Sequence, residues 1–173
     1  MWDGNMYEAA QKRISLREFV FTDISERMLE LSKSRFPAEG NRFEIMEVQR
    51  LNQGERYDVI TAIQVNHYLS EAERELGVRN IYKALKKDGV FFTFENVEPH
   101  SEAGKQIALQ RWKKYQITNG KSMEEADRHI KRYGTEYFPI TIEAQLKMLR
   151  KCGFQSVELI WMSYMQAGFM GIK

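Results

Sequence analysis

Apolar residues fall in two rhythms along this chain. Short continuous runs, rich in aromatic and β-branched residues, predict strands at Phe19–Thr22 ("FVFT"), Arg42–Val48 ("RFEIMEV"), Tyr57–Val65 ("YDVITAIQV") and Val90–Asn96 ("VFFTFEN"). Between them the period lengthens to that of a helix. Tyr7–Ile14 predicts a short helix. Glu26–Phe36 predicts another, with Met28, Leu29, Ser32 and Phe36 on one face and Ser25 as its N-cap. "SEAE", Ser70–Glu73, is a capping-box pattern that opens a third helix. Val78, Ile81, Tyr82 and Leu85 form its apolar stripe, and "KKDG", Lys86–Gly89, is expected to end it. The order α-β-α-β-β-α-β, with continuous apolar strands, predicts a parallel sheet covered by helices on both faces.

The pattern changes near residue 100. His100–Gly134 is polar and helical, with a second capping box at "SMEE", Ser122–Glu125. It carries eight Lys/Arg against four Asp/Glu, a net of +4. A helix is predicted from about Thr141 to Cys152, closed by Gly153. Ser156–Met162 and Met165–Ile172 are two runs so close in sequence that they must pair antiparallel. The expectation is one domain over residues 1–173, with a helical lid or insertion at about 100–140.

Composition narrows the class. Hydrophobic residues make up 43%, as in an ordinary globular domain. A net charge of +2 selects neither nucleic acid nor membrane. The single cysteine, Cys152, excludes a disulfide framework and fits a reducing compartment. No apolar run approaches the roughly 20 residues of a membrane span, and "MWDGNMYEAAQKR" has no apolar signal region. A cytoplasmic location without membrane attachment is expected, and no metal site.

The candidate chemistry sits where strands end. Asp23 follows a strand and precedes a helix, and ligands of open α/β sheets bind at that end. A carboxylate there can accept from both hydroxyls of a ribose. It can equally cap the helix, because acids favour helix N-termini. After the next strand, Glu47 can receive an adenine amino group and Val48 can cover the ring, although Glu47 also reads as a solvated turn residue. After the third strand, Ile63–Tyr68 forms a loop facing whatever is bound. His67 in that loop reads as a packing residue at a helix start more readily than as a base.

"FVFTDISERMLELSKSRF", "YDVITAIQVNHYL", "ALKKDGVFFTFEN" and the terminal strand pair together resemble the class I S-adenosylmethionine-dependent methyltransferases. The resemblance spans nearly the whole chain in order and spacing. It implies a Rossmann-like three-layer α/β/α sandwich, mostly parallel, closed by a reverse hairpin. It implies S-adenosylmethionine as cofactor. Gly4 matches the last glycine of the family's cofactor loop. Asp23, with Ile24 beside it, is implied to hold the ribose, Glu47 and Val48 to flank the adenine, and Ala62, Ile63 and Gln64 to face the methionine part and the acceptor. The C-terminal half also looks like the branch of carboxy-S-adenosylmethionine-dependent tRNA wobble-uridine methyltransferases. Arg128 and Arg132 lie near, but do not align with, the arginine that grips the extra carboxylate there.

The family's first strand and the earlier glycines of its loop have no match before "MWDGNMYEAAQ". Family topology puts that strand between those at Phe19 and Tyr57. Either these two close together, or a partner chain such as a second copy fills the gap, or the chain is poorly folded alone, and the expected cause is a truncated or misassigned reading frame of a longer enzyme. His67, Tyr68 and Glu95 are the candidate bases near the pocket mouth, and none is assigned. Trp112, Tyr115, Tyr133, Tyr137 and Phe138 line or pack the lid. A small-molecule acceptor is expected, with tRNA as an alternative. Two rival functions remain. One is a non-catalytic remnant or sheet-completing subunit. The other is an NAD(P)-dependent reductase, whose Y-x-x-x-K pattern is mimicked by Tyr82 and Lys86. Tyr82 lies on an apolar stripe, and a closing antiparallel pair does not suit that family.

Overall fold

The computed structural model describes residues 5–173. They form two compact units, one up to Leu51 and one from Asn52 to Lys173. The first unit holds a helix α1 (Asn5–Gln11), a strand β1 (Phe19–Asp23), a helix α2 (Glu26–Arg35), a strand β2 (Asn41–Ile45) and a 3-10 turn at Val48–Arg50. β1 and β2 pair in parallel, Phe19 opposite Asn41 through Asp23 opposite Ile45. The alternation in "FVF" turns Phe21 into a small aromatic core with Tyr7, Leu29 and Phe36. The Tyr7 ring meets Phe19, Phe21 and Phe36 edge-on at 4.8, 5.2 and 4.9 Å, a favoured aromatic geometry. Its hydroxyl stays satisfied inside this core, accepting from Gln11 Nε2 at 2.6 Å and Asn41 Nδ2 at 2.8 Å.

In the second unit come β3 (Tyr57–Ile63), a 3-10 turn (Asn66–Tyr68), α3 (Glu71–Ala84), β4 (Leu85–Glu98), α4 (Glu102–Thr118) and α5 (Met123–Lys131). β5 (Ile140–Thr141), α6 (Ile142–Lys151), β6 (Ser156–Ser163) and β7 (Gln166–Ile172) complete it. The sheet order is β3-β4-β7-β6, with β5 added at the end of β4. β3 runs parallel to β4, whereas β7 is antiparallel to both β4 and β6. The terminal pair is therefore as expected. β1 and β3, which the resemblance places either side of a further strand, belong to different sheets.

The face of β4 carrying Phe91, Thr93, Glu95 and Val97 is buried. Phe91 stacks on Phe154 with ring centroids 5.7 Å apart, and Tyr82 meets Phe154 edge-on. Val78 and Ile81 of α3 and Leu149 of α6 are almost wholly buried, so the predicted apolar stripes point inward. Both capping boxes form. Ser70 Oγ accepts from Glu73 N while Glu73 Oε2 accepts from Ser70 N, and Ser122 and Glu125 repeat the exchange.

Three local expectations are corrected. "KKDG" does not end a helix. α3 stops at Ala84, because Leu85 already pairs with Tyr57 and starts β4. The next pair is Val59 with Val90, so Lys86–Gly89 bulge out of the ladder with Asp88 at φ +62°. Lys86, in a strand rather than on Tyr82's helix, ion-pairs with Asp58 at 2.8 Å, which removes the Y-x-x-x-K resemblance. Ser25 stands at the N-cap of α2 but makes no side-chain cap; its amide instead donates to Asp23 Oδ1 at 2.8 Å. The strands predicted to reach Val48 and Val65 end at Ile45 and Ile63, where 3-10 turns and a left-handed residue intervene.

Two glycines separate backbone strain from crowding. Gly120 has φ +92° and open space where a Cβ would stand, whereas at Gly153, φ +115°, a Cβ would lie 2.9 Å from Tyr82 Cζ. Gly120→Ala is expected to cost about 1–2 kcal/mol of backbone strain. Gly153→Ala is expected to cost more, because it also displaces the Tyr82–Phe154 contact. Urea midpoints of the two variants check the order; equal shifts refute it.

Candidate functional site

In the first unit, the carboxyl end of the parallel pair gathers Asp23, Ile24, Glu47 and Val48. Asp23 closes β1 opposite Ile45, and its carbonyl accepts from Met46 N at 3.1 Å. Asp23 is half-buried as a residue, and its Oδ1 accepts from the Ser25 amide. The helix-capping and ligand-holding readings of Asp23 are thus compatible, since the capping bond uses one oxygen. Ile24 and Ile45 are 73% and 65% exposed at this end, an apolar surface beside an acid. Glu47 is exposed and ion-pairs with Arg50 at 3.2 Å, as a solvated turn residue does. Val48 is half-buried and starts the 3-10 turn. A half-buried acid with apolar neighbours suits a ribose next to an aromatic base, so these residues fit a nucleoside-bearing cofactor. Gly4 lies outside the described residues.

Within the second unit, the carboxyl end of β3 carries Ala62, Ile63 and Gln64. Ala62 is buried, while Ile63 and Gln64 are half-buried. Gln64 adopts φ +56°, a conformation costly for a residue with a Cβ. Two bonds to one carbonyl hold it there: Gln64 N donates to Phe94 O at 2.8 Å, and Gln64 Nε2 donates to the same oxygen at 3.3 Å. The turn breaks the strand and starts the loop that leads to α3.

Under this loop lies a buried polar network that the sequence did not foretell. Glu95 is only 3% exposed, yet its carboxylate accepts four hydrogen bonds. They come from Asn66 N at 3.2 Å, His67 N at 3.3 Å, His67 Nδ1 at 2.6 Å and Thr93 Oγ1 at 2.7 Å. Two relays converge on it. Gln166 donates to Asn96 Oδ1, and Asn96 Nδ2 faces His67 Nε2 at 3.3 Å, so Nε2 accepts and Nδ1 carries the proton toward Glu95. On the other side Asn66 Nδ2 donates to Thr93 Oγ1, which donates to Glu95. Both ring nitrogens of His67 are therefore occupied, and its side chain is 1% exposed. Neither His67 nor Glu95 stands open to an acceptor. Tyr68, the remaining candidate base, is exposed.

Arg74 is the residue that sequence reasoning passed over. It lies four residues before Val78 on the same helical stripe, and it is 3% exposed. Its guanidinium donates to Asn66 O at 2.9 Å, to Leu69 O at 3.2 Å and to Phe138 O. Burial pulls its proton affinity below the ordinary value, opposed by the charges of Glu95 and Glu71. A cation on an apolar stripe was the readable signal. Thr93 and Glu95 gave a similar one, as polar residues at the buried parity of an aromatic strand.

The helical segment over α4 and α5 packs on Tyr137, which is 2% exposed. Its ring meets His67, Tyr68, Trp112, His129 and Tyr133 at about 6.0–6.2 Å. Burial pushes the Tyr137 phenol up to about 12. Burial, helped by the charges of Lys121 and Arg132, holds the His129 imidazole below its ordinary value. Tyr137 and Trp112 thus pack the segment, while Tyr115 and Phe138 are exposed. Arg132 is bonded to Glu136 at 2.7 Å, and Arg128 is exposed. No helix among the described residues is long and apolar enough to cross a membrane.

Known proteins resemble this chain in sequence and in fold. The family profile described as "Methyltransferase domain" matches residues 3–91. The carboxy-S-adenosyl-L-methionine synthase of Nautilia profundicola is 24% identical over 173 residues, covering 97% of this chain and 72% of its own length. That of Staphylococcus epidermidis is 26% identical over 113 residues, covering 65% of this chain and 48% of its own. Among solved structures, PigF with SAH superposes with a TM-score of 0.70 at 14% identity, over 98% of this chain and 47% of that one. The chain thus spans about half the length of two of these three proteins. An α/β fold with a mixed sheet, this likeness and the family match together establish the Rossmann-like class. The chain belongs to the class I S-adenosylmethionine-dependent methyltransferase family, and S-adenosylmethionine is its cofactor or substrate.

Proposed function

We propose that this chain transfers the methyl group of S-adenosylmethionine to a small-molecule acceptor, with Asp23 as the residue that holds the cofactor's ribose. The observation that carries the reading is the half-buried residue Asp23 at the carboxyl end of β1, its carboxylate oriented through Oδ1 by the Ser25 amide. Glu47 and Val48 are assigned to the adenine. Ala62, Ile63 and Gln64 are assigned to the methionine part, with Gly4 at the cofactor loop. When bound, the cofactor supplies a sulfonium methyl group that a nucleophile attacks in line. The protein's contribution is then orientation rather than proton removal, in keeping with a His67–Glu95 pair whose atoms are already committed to each other. A small acceptor is favoured over tRNA because several cations of the basic segment are spent on intrachain partners. Lys105 pairs with Glu98 and Glu102, Lys113 with Asp127, and Arg132 with Glu136.

A second reading has its own support. The Nautilia relative, similar over 97% of this chain, is named a carboxy-S-adenosyl-L-methionine synthase. In that reading the sulfonium compound is the substrate: a carboxylic-acid co-substrate gives up its carboxyl group as carbon dioxide, the methyl carbon loses a proton, and a carbon–carbon bond forms between the two.

Asp23→Asn keeps an acceptor for the Ser25 amide but removes the charge. It is expected to weaken S-adenosylhomocysteine binding by about tenfold to a hundredfold, the range for hydrogen bonds to a charged group. Calorimetry on both proteins measures this, and unchanged affinity removes Asp23 from the ribose role. No binding to the unsubstituted chain, alongside a cooperative melt, would favour a non-catalytic role.

Product identity separates methyl transfer from carboxyl addition. Mass spectrometry of a reaction with methyl-labelled S-adenosylmethionine is expected to find S-adenosylhomocysteine and a labelled acceptor. A heavier sulfonium product that retains its label and carries a carboxylate selects the second reading.

A further inference from the structure

The loop from Val65 to Leu69 has its backbone polar groups taken by three different elements. Its amides at Asn66 and His67 are held by Glu95 of β4. Its carbonyls at Asn66 and Leu69 are held by Arg74 of α3. Its carbonyl at His67 accepts from Phe138 N at 2.6 Å, at the end of the helical segment. Arg74 also reaches the Phe138 carbonyl, so Phe138 is bonded on both sides of its peptide. Just before it, the Tyr137 ring packs edge-on against His67 and Tyr68.

Burying a carboxylate and a guanidinium is a poor way to gain stability. Apolar residues of equal volume often do as well. Such groups instead fix one arrangement among several that an apolar core would tolerate. Here the fixed arrangement is that of the loop and of the cover's carboxyl end, which share one cation.

We propose that Arg74 and Glu95 are positioning residues: Glu95 sets the loop that follows β3, and Arg74 latches the end of the helical cover onto that loop. This rests on the proposed assignment of Gln64 and its loop to the cofactor and acceptor. Opening the cover at Phe138 then breaks the bonds that also shape the loop, so acceptor entry and loop geometry are one event.

The test follows amide exchange by NMR in the full chain, with the Phe169 amide of the central strand β7 as internal reference. Arg74→Met is expected to speed exchange at Phe138 by at least about tenfold, the scale of a lost charge-assisted bond, while Phe169 is unmoved. S-adenosylhomocysteine affinity is expected to fall by a similar factor, and Arg74→Lys to recover part of both. Unchanged exchange at Phe138, or equal acceleration at Phe169, overturns the latch. Selective acceleration at Phe138 with unchanged affinity overturns the link to the loop. If Arg74→Met does not fold, Arg74→Lys carries the same comparison, with selective acceleration at Phe138 expected. Should the unsubstituted chain not bind S-adenosylhomocysteine, the cofactor reading fails, and exchange at Phe138 still decides the latch. The 15N shifts of His67 are expected to place the proton on Nδ1; a proton on Nε2 contradicts the relay that fixes the loop.

Discussion

A buried carboxylate needs donors, and the demand of Glu95 for four of them organises the second unit. An ionised acid taken out of water without partners would cost several kcal/mol. Each donor it recruits therefore has a fixed place. Two are backbone amides, which forces the chain after β3 into a tight turn above the strand end. One is Thr93, two residues earlier on the same strand face. One is His67, whose tautomer is set by Asn96 on the other side. From a single residue of β4 follow the shape of the loop and the depth of His67.

Secondary structure supplies the frame that makes this possible. The Ser70–Glu73 box starts α3 within one turn of the loop, which brings Arg74 under the carbonyls it serves. The left-handed Gln64 ends β3 abruptly, so the next amides can turn down toward Glu95. Strain at Gln64 and the buried charges of Glu95 and Arg74 all bear on one short loop. Costs of this kind gather at functional sites, where geometry matters more than stability.

Elements with a strong local rule were legible in the sequence. Both capping boxes, the apolar stripe of α3 and the antiparallel terminal pair needed only residue spacing. Boundaries set by pairing were not legible. Leu85 leaves its helix because Tyr57 offers it a ladder partner, and no pattern within Lys83–Gly89 announces that. The candidate site divides the same way. Asp23 was visible because a strand–acid–helix junction is a local pattern. The Glu95–His67–Arg74 network joins residues up to 70 positions apart, and only the fold reveals it. The hint in the sequence was negative: Thr93, Glu95 and Arg74 are polar where the period demands apolar.

The network also bears on the chemistry. A histidine in the loop after β3 invites the role of base, but this one accepts at Nε2, donates at Nδ1 and has no exposed edge. His129 is packed edge-on against Trp112 and held below its ordinary proton affinity by burial. His67 and His129 are thus committed to packing and hydrogen bonds, while the third histidine, His100, is exposed. The acid–histidine pair, which in isolation resembles catalytic machinery, holds the backbone of the loop after β3 in one shape.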